Sequence, residues 1–168
     1  MAQDRTNMVS LLDTGKLGGE ATKLTEMGDG YTEITEDWGP NSDQKQYVNM
    51  KTASNTVKGY ALSMSPSRDY LSDDMQACID NLFKTFPTGS KCETDYYRFY
   101  KTDIKDGSGD CIKVPVTVCA SSTGGAGGDT LTSSIQINGN GDAELGTITI
   151  AEDGSYTWSK KAGQQSAT

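Results

Sequence analysis

Residues 31–65, YTEITEDWGPNSDQKQYVNMKTASNTVKGYALSMS, decide how this chain is read. Tyr31 to Trp38 alternates, with Ile34, Glu36 and Trp38 on one side and Glu33, Thr35 and Asp37 on the other, which is the period of a strand. The strand ends in an acidic and aromatic corner, Glu36-Asp37-Trp38, and Gly39-Pro40-Asn41 breaks it. A polar excursion over 39–55 follows. Gln46 to Asn49 reads as a short strand within it, which makes the excursion a long hairpin. Thr56 to Ser65 is the next strand, with Tyr60, Leu62 and Met64 on one face and Gly59, Ala61 and Ser63 on the other. Compact domains seldom carry so long a polar stretch between strands without a use for it. Contact with another copy of the chain is the expected use.

Downstream, Leu71, Met75, Cys78, Ile79, Leu82, Phe83 and Phe86 form one apolar stripe, which predicts a helix from Ser72 to Phe86. Ser72 is the expected N-cap, Asp73 and Asp74 suit the first turn, and Pro87 and Gly89 stop the helix. Ordinary packing on a sheet accounts for the stripe. Asp95 to Asp103, rich in aromatics, reads as a strand. So does Cys111 to Ala120, where Ile112, Val114, Val116 and Val118 oppose Lys113, Pro115 and Thr117. Pro115 has no N–H for a ladder, so an edge or a bulge is expected there. Leu131–Asn138, Leu145–Ile150 and Ser155–Ser159 complete the strands, joined by NGNGD and EDG as tight turns. Residues 1–28 show no periodicity and read as an N-terminal arm, and 161–168 as a flexible polar tail. The sum is a mainly β fold, a β-sandwich or open barrel of about seven strands flanked by one α-helix.

With 168 residues the chain has room for one domain. Its 34% hydrophobic content and mean hydropathy of −0.58 imply a thin core that finishes ordering against partners. A net charge of −8 argues against binding DNA phosphates or anionic membranes. There is no histidine, which removes Ser-His and Cys-His chemistry and the commonest general base. Cys78, Cys92, Cys111 and Cys119 include no CxxC pair, and Met1–Arg5 begins no signal peptide, so reduced, mostly buried thiols are expected. No stretch approaches the ~20 apolar residues of a membrane span.

The other motifs have plain explanations. INGNGDAELG has the look of a calcium repeat but occurs once, and a hairpin turn explains it better. TGGAGGD lacks the lysine and strand-to-helix setting of a phosphate loop. The acid pairs Asp73-Asp74, Glu36-Asp37 and Glu152-Asp153 are explained by a helix start and by solvated strand ends. YYRFY reads as a core and interface strand rather than a base-stacking platform. No catalytic, cofactor or metal site is expected.

The order of parts carries more than any motif. YTEITEDWGPNSDQKQYVN, TVKGYALSMSPSRDY, SDDMQACIDNLFKTF, IKVPVTVCASSTGGAGG and LTSSIQINGNGDAELGTITI together resemble the major tail tube proteins of long-tailed, siphovirus-type bacteriophages, over about residues 30–158. The resemblance implies a tail-tube β domain over 29–160 whose copies form hexameric rings, stacked into a tube through which the genome enters the host. It implies sibling copies, tape-measure and tail-completion proteins as partners, with double-stranded DNA passing without specific binding. It also implies a virion tail location after assembly in the host cytoplasm, with no membrane insertion. On this sequence the contacts between subunits and rings would come from Trp38, Pro40, Gln46, Tyr47 and Val48 of the loop, and from Val9, Leu11 and Leu12 of the arm. Asp95, Asp103, Asp142, Glu144 and Asp153 are the candidate lumen-facing acids that keep DNA sliding. Two other readings remain: the inner tube protein of a contractile tail or tail-like bacteriocin, and a monomeric immunoglobulin-like module for a carbohydrate or cell surface.

Overall fold

The longest strand, β8 (Ser108–Gly124), organises the rest of the molecule, which a computed structural model describes over residues 2–161. Before it come β1 (Met8–Asp13), a one-turn helix α1 (Thr14–Leu17), β2 (Leu24–Glu26), β3 (Asn41–Lys45), β4 (Ser54–Gly59), β5 (Ser63–Met64) and β6 (Ser67–Asp69). Helix α2 (Asp74–Thr85) and β7 (Glu93–Tyr100) follow, and β9 (Thr132–Gly139), β10 (Glu144–Ile150) and β11 (Tyr156–Lys160) come after β8.

Nine strands form one antiparallel sheet in the order β11-β10-β8-β7-β1-β2, with β9 also on β8 and β5 and β6 outside β9. One edge of β8 pairs with β7, from Glu93↔Thr117 to Phe99↔Cys111. The other edge changes partner: Ser108–Lys113 pairs with β10, and Val116–Gly124 with β9. Pro115 lies at the change, where neither strand asks for the N–H it lacks, and its carbonyl accepts from Asn140 N at 2.8 Å. The proline is therefore interior to the sheet, neither on an edge nor at a bulge. For the same reason NGNGD is not a hairpin turn, since β9 and β10 run end to end along β8. EDG does join a hairpin, β10–β11.

Both faces of the sheet are covered. Leu12, Tyr96, Val114, Val116 and Val118 face α2, which contributes Met75, Ile79 and Leu82. The valines are 1% exposed or less, each contributing ~1.5–3 kcal/mol by leaving water. On the opposite face Val9, Leu11, Tyr97, Phe99, Cys111 and Ile148 are roofed by Tyr156 and Trp158 of β11. Trp158 packs at a tilt with its ring 6.1 Å from that of Tyr97, and the Tyr156 ring lies 5.9 Å from Phe99. The mainly β architecture with one long flanking helix is thus as expected.

Several local expectations are corrected. The 1–28 arm is instead largely built into the sheet: β1 lies between β7 and β2, and Leu11 and Leu12 are buried. Burial on both faces removed the alternation that marks a strand. Tyr31–Trp38 is irregular, its only strand-like pairings among the described residues being the isolated bridges Tyr31↔Arg68 and Asp37↔Ser63. The short strand of the excursion is β3, ahead of Gln46 to Asn49, and its partner β4 begins at Ser54. Helix α2 is capped by Asp73, whose Oδ1 accepts from Gln76 N at 2.8 Å, so Ser72 lies outside it. Leu71 and Phe86, the ends of the expected stripe, are exposed, and Phe86 closes the helix in the left-handed region at φ 44°. The four cysteines are free, with Cys92 and Cys111 buried. Of the expected tail, only Lys161 falls among the described residues.

Candidate assembly surface

Strands β3 and β4 form a two-stranded ribbon separate from the main sheet, in register from Ser42↔Val57 to Lys45↔Ser54. Apart from Val57 and Gly59 their residues are polar, and such a ribbon with no covered face is marginally stable in water. The Asp43–Lys58 ion pair at 3.4 Å is exposed and adds little. Gln46 Nε2 donates to Met50 O at 3.1 Å and closes the tip. Beside it Tyr47 is 62% exposed and Val48 wholly so, and Val57 and Tyr60 are also exposed. Apolar side chains displayed on a ribbon without a core form a surface suited to a partner.

The root of this ribbon is firmly held. Asp37 N donates to Ser63 O at 3.1 Å, Ser63 N to Asp37 O at 2.7 Å, and Ala61 N to Trp38 O at 2.8 Å. The half-buried Trp38 packs against the α2-side core and donates from Nε1 to Glu36 Oε1 at 3.2 Å. The Glu36 side chain is 4% exposed and also accepts from Tyr96 Oη at 3.0 Å and Arg98 Nη1 at 3.3 Å. Tyr96 gives its one proton to the carboxylate, leaving Ser10 to donate to Tyr96 Oη across 2.8 Å. Burial first, and then the Glu36 charge, push the Tyr96 hydroxyl far above the usual tyrosine range. The acidic corner therefore works from inside, as an anchor.

The residues singled out from sequence divide accordingly. Pro40, Gln46, Tyr47 and Val48 lie on the exposed ribbon, whereas Trp38 sits at its root. Val9, Leu11 and Leu12 are interior, at 5%, 0% and 1% exposure, which leaves them nothing to offer a neighbour in this fold. Among the acids, Asp95 is corrected: it is 6% exposed and paired with Lys16 Nζ at 3.1 Å and Lys113 Nζ at 3.8 Å. Asp103, Asp142 and Asp153 are exposed and Glu144 is half-buried. Asp153 accepts from Ser155 N at 3.0 Å and Ser155 Oγ at 2.7 Å, and these bonds hold its carboxyl below the usual range. The acids do not form one row. Asp103 and Asp153 share the end of the sheet where β7 and β10 finish, while Glu144 opens β10 at its other end, opposite Lys113.

Sequence reasoning missed a second open feature. The outer edge of β11 has no strand partner among the described residues, leaving backbone groups free to pair. Among the described residues, no three Cys, Asp or Glu side chains converge as metal ligands, and no helix is long and apolar enough to cross a membrane.

No protein-family model and no curated protein matches this sequence. Solved structures do. A chain from the tail of an empty gene transfer agent particle, refined with C6 helical symmetry, superposes with a TM-score of 0.59 at 12% identity, over 86% of this chain and 98% of its own. The fold is shared with a chain of that tail. A chain from the virion of the native gene transfer agent particle gives a TM-score of 0.57 at 11% identity, with the same coverage. Because nearly the whole of each of those chains is spanned, the likeness covers the fold as a unit and not an isolated motif.

Proposed function

We propose that this chain is the structural subunit of a tail tube: six copies close a ring, and rings stack into a conduit for a double-stranded genome. The observation that carries this reading is the near-complete overlap with a subunit from a tail of C6 symmetry. Three features of this chain support it. The β3–β4 ribbon, displaying Tyr47 and Val48 without a core, suits contact with the next ring. The edge of β11, without a strand partner among the described residues, suits strand addition by a neighbour in the same ring. The surplus of acids, with Asp103 and Asp153 exposed, favours a wall along which DNA slides. Tape-measure and tail-completion proteins are the partners this role requires, in the virion tail. A tube inside a contractile tail would use the same ring.

Electron microscopy and light scattering on the purified full chain test the proposal. Rings or tubes with six-fold averages are expected. Well-ordered monomers persisting at high concentration would overturn it in favour of a monomeric binding module.

A further inference from the structure

The chain contains two Asn-Gly steps, Asn138-Gly139 and Asn140-Gly141, and the fold treats them differently. Asn138 lies within β9, in register with Ser63 on one side and Thr117 on the other. The Gly139 nitrogen donates to Leu62 O at 2.9 Å, and a Cβ at Gly139 would sit 3.2 Å from the Leu62 Cβ, so this backbone is both bonded and crowded. Asn140 is exposed on the connector between β9 and β10. The Gly141 N–H has no hydrogen-bond partner among the described residues, and Gly141 takes φ +147°, open to glycine alone.

From this contrast we infer that Asn140 is a site of spontaneous deamidation in the folded protein and that Asn138 is protected. The Gly141 nitrogen attacks Asn140 Cγ, the Cγ–Nδ2 bond breaks, and ammonia leaves with the proton lost by the attacking nitrogen. Water then opens the resulting succinimide at either carbonyl, giving aspartate or isoaspartate without any change of oxidation state. The same attack at Asn138 requires β9 to leave β5 and β8 first, and the free energy of that opening divides its rate. The Asn140 Nδ2 is 3.5 Å from Glu93 Oε1, so the reaction replaces a donor to that carboxylate by a second negative charge. It does so beside the Pro115 carbonyl, where β8 changes partner.

The test is to incubate the full chain, folded and in denaturant, at mildly alkaline pH. Peptide mapping with isoaspartyl methyltransferase labelling then reads each site. In the folded chain Asn140 is expected to convert more than ~10-fold faster than Asn138, and in denaturant the two should converge. The variant Asn140→Gln should abolish the folded-state signal, and Asn138→Gln should leave it unchanged. Equal rates in the folded chain, or an Asn140 that stays intact there, would overturn the inference.

Discussion

Tyr96 Oη and Glu36 Oε2 stand 3.0 Å apart although sixty residues separate them in the chain, and their contact ties the root of the projecting ribbon to the centre of the sheet. Glu36→Ala leaves Tyr96 and Arg98 short of a buried acceptor and frees Trp38 Nε1. The expected cost is about 3 kcal/mol, read from urea unfolding. Protease cleavage within 39–55 should accelerate as well. Glu36→Gln, which keeps an acceptor, should lose less.

Removing the ribbon should separate folding from assembly. Replacing residues 41–59 by a short Gly-Ser link is expected to change the unfolding free energy by less than about 1 kcal/mol, because the ribbon buries no core. The same variant should form no tubes under the microscope. A variant that still assembles would place the contact between rings elsewhere.

Leu11→Ala and Val48→Ala should behave as opposites. Leu11 is fully enclosed beneath β11, and its truncation should cost ~3–4 kcal/mol. Val48 stands in solvent, and its truncation should stay within about 0.5 kcal/mol while weakening assembly. Denaturant titrations of the two variants measure the difference.

Asp73 links acid stability to a buried cation. Arg68, whose side chain is 0% exposed, donates from Nη2 to Asp73 Oδ2 at 2.7 Å, and this bond holds the Asp73 carboxyl below its ordinary 3.8. A lowered folded value means the stabilisation is present above the ordinary value and disappears as pH falls through the folded one. Asp73→Asn retains a capping side chain but leaves Arg68 unpaired. It should cost about 2 kcal/mol near neutrality, less than a fully enclosed pair because Asp73 keeps contact with water. It should also flatten the acid limb of a stability-against-pH curve.

At the alkaline end the sign reverses. Burial pushes the Cys78 thiol up to about 11 and Cys111 up to about 12 from 9.0, and Tyr31 up to about 12 from 10.0. These groups favour the neutral form when folded, so their contribution is complete below the ordinary values and lost as pH climbs through the raised ones. Urea midpoints should therefore fall from about pH 9 towards about pH 12. Tyr31→Phe, which keeps the ring and removes the proton, should shallow that decline.

Legibility in the sequence followed how each segment meets water. Helix α2 stood out because Met75, Ile79 and Leu82 face the sheet while Ala77, Asn81 and Lys84 face solvent, so the period survived. The ribbon was legible as a unit because nothing in it is buried. Its register was not, since an exposed pair leaves no apolar pattern to fix which residues oppose. β1 disappeared for the converse reason: Val9 to Asp13 are all interior, and a strand enclosed on both faces has no alternation. The lack of an N–H at Pro115 was plain, but its place between two partners depends on residues 139–144 returning to the same edge. Nor can composition show that Asp95 spends its charge on Lys16 and Lys113.

The pairing of Met8 with Tyr100 carries a consequence for biosynthesis. A ribosome releases the apolar segment Met8–Asp13 long before it has made β7, so the nascent polypeptide must hold a sticky stretch in waiting. A loop of that span closes slowly, which gives chaperones and premature self-association time to compete. Closure of β1 onto β7, rather than any local step, would then set the pace at which the folded chain appears.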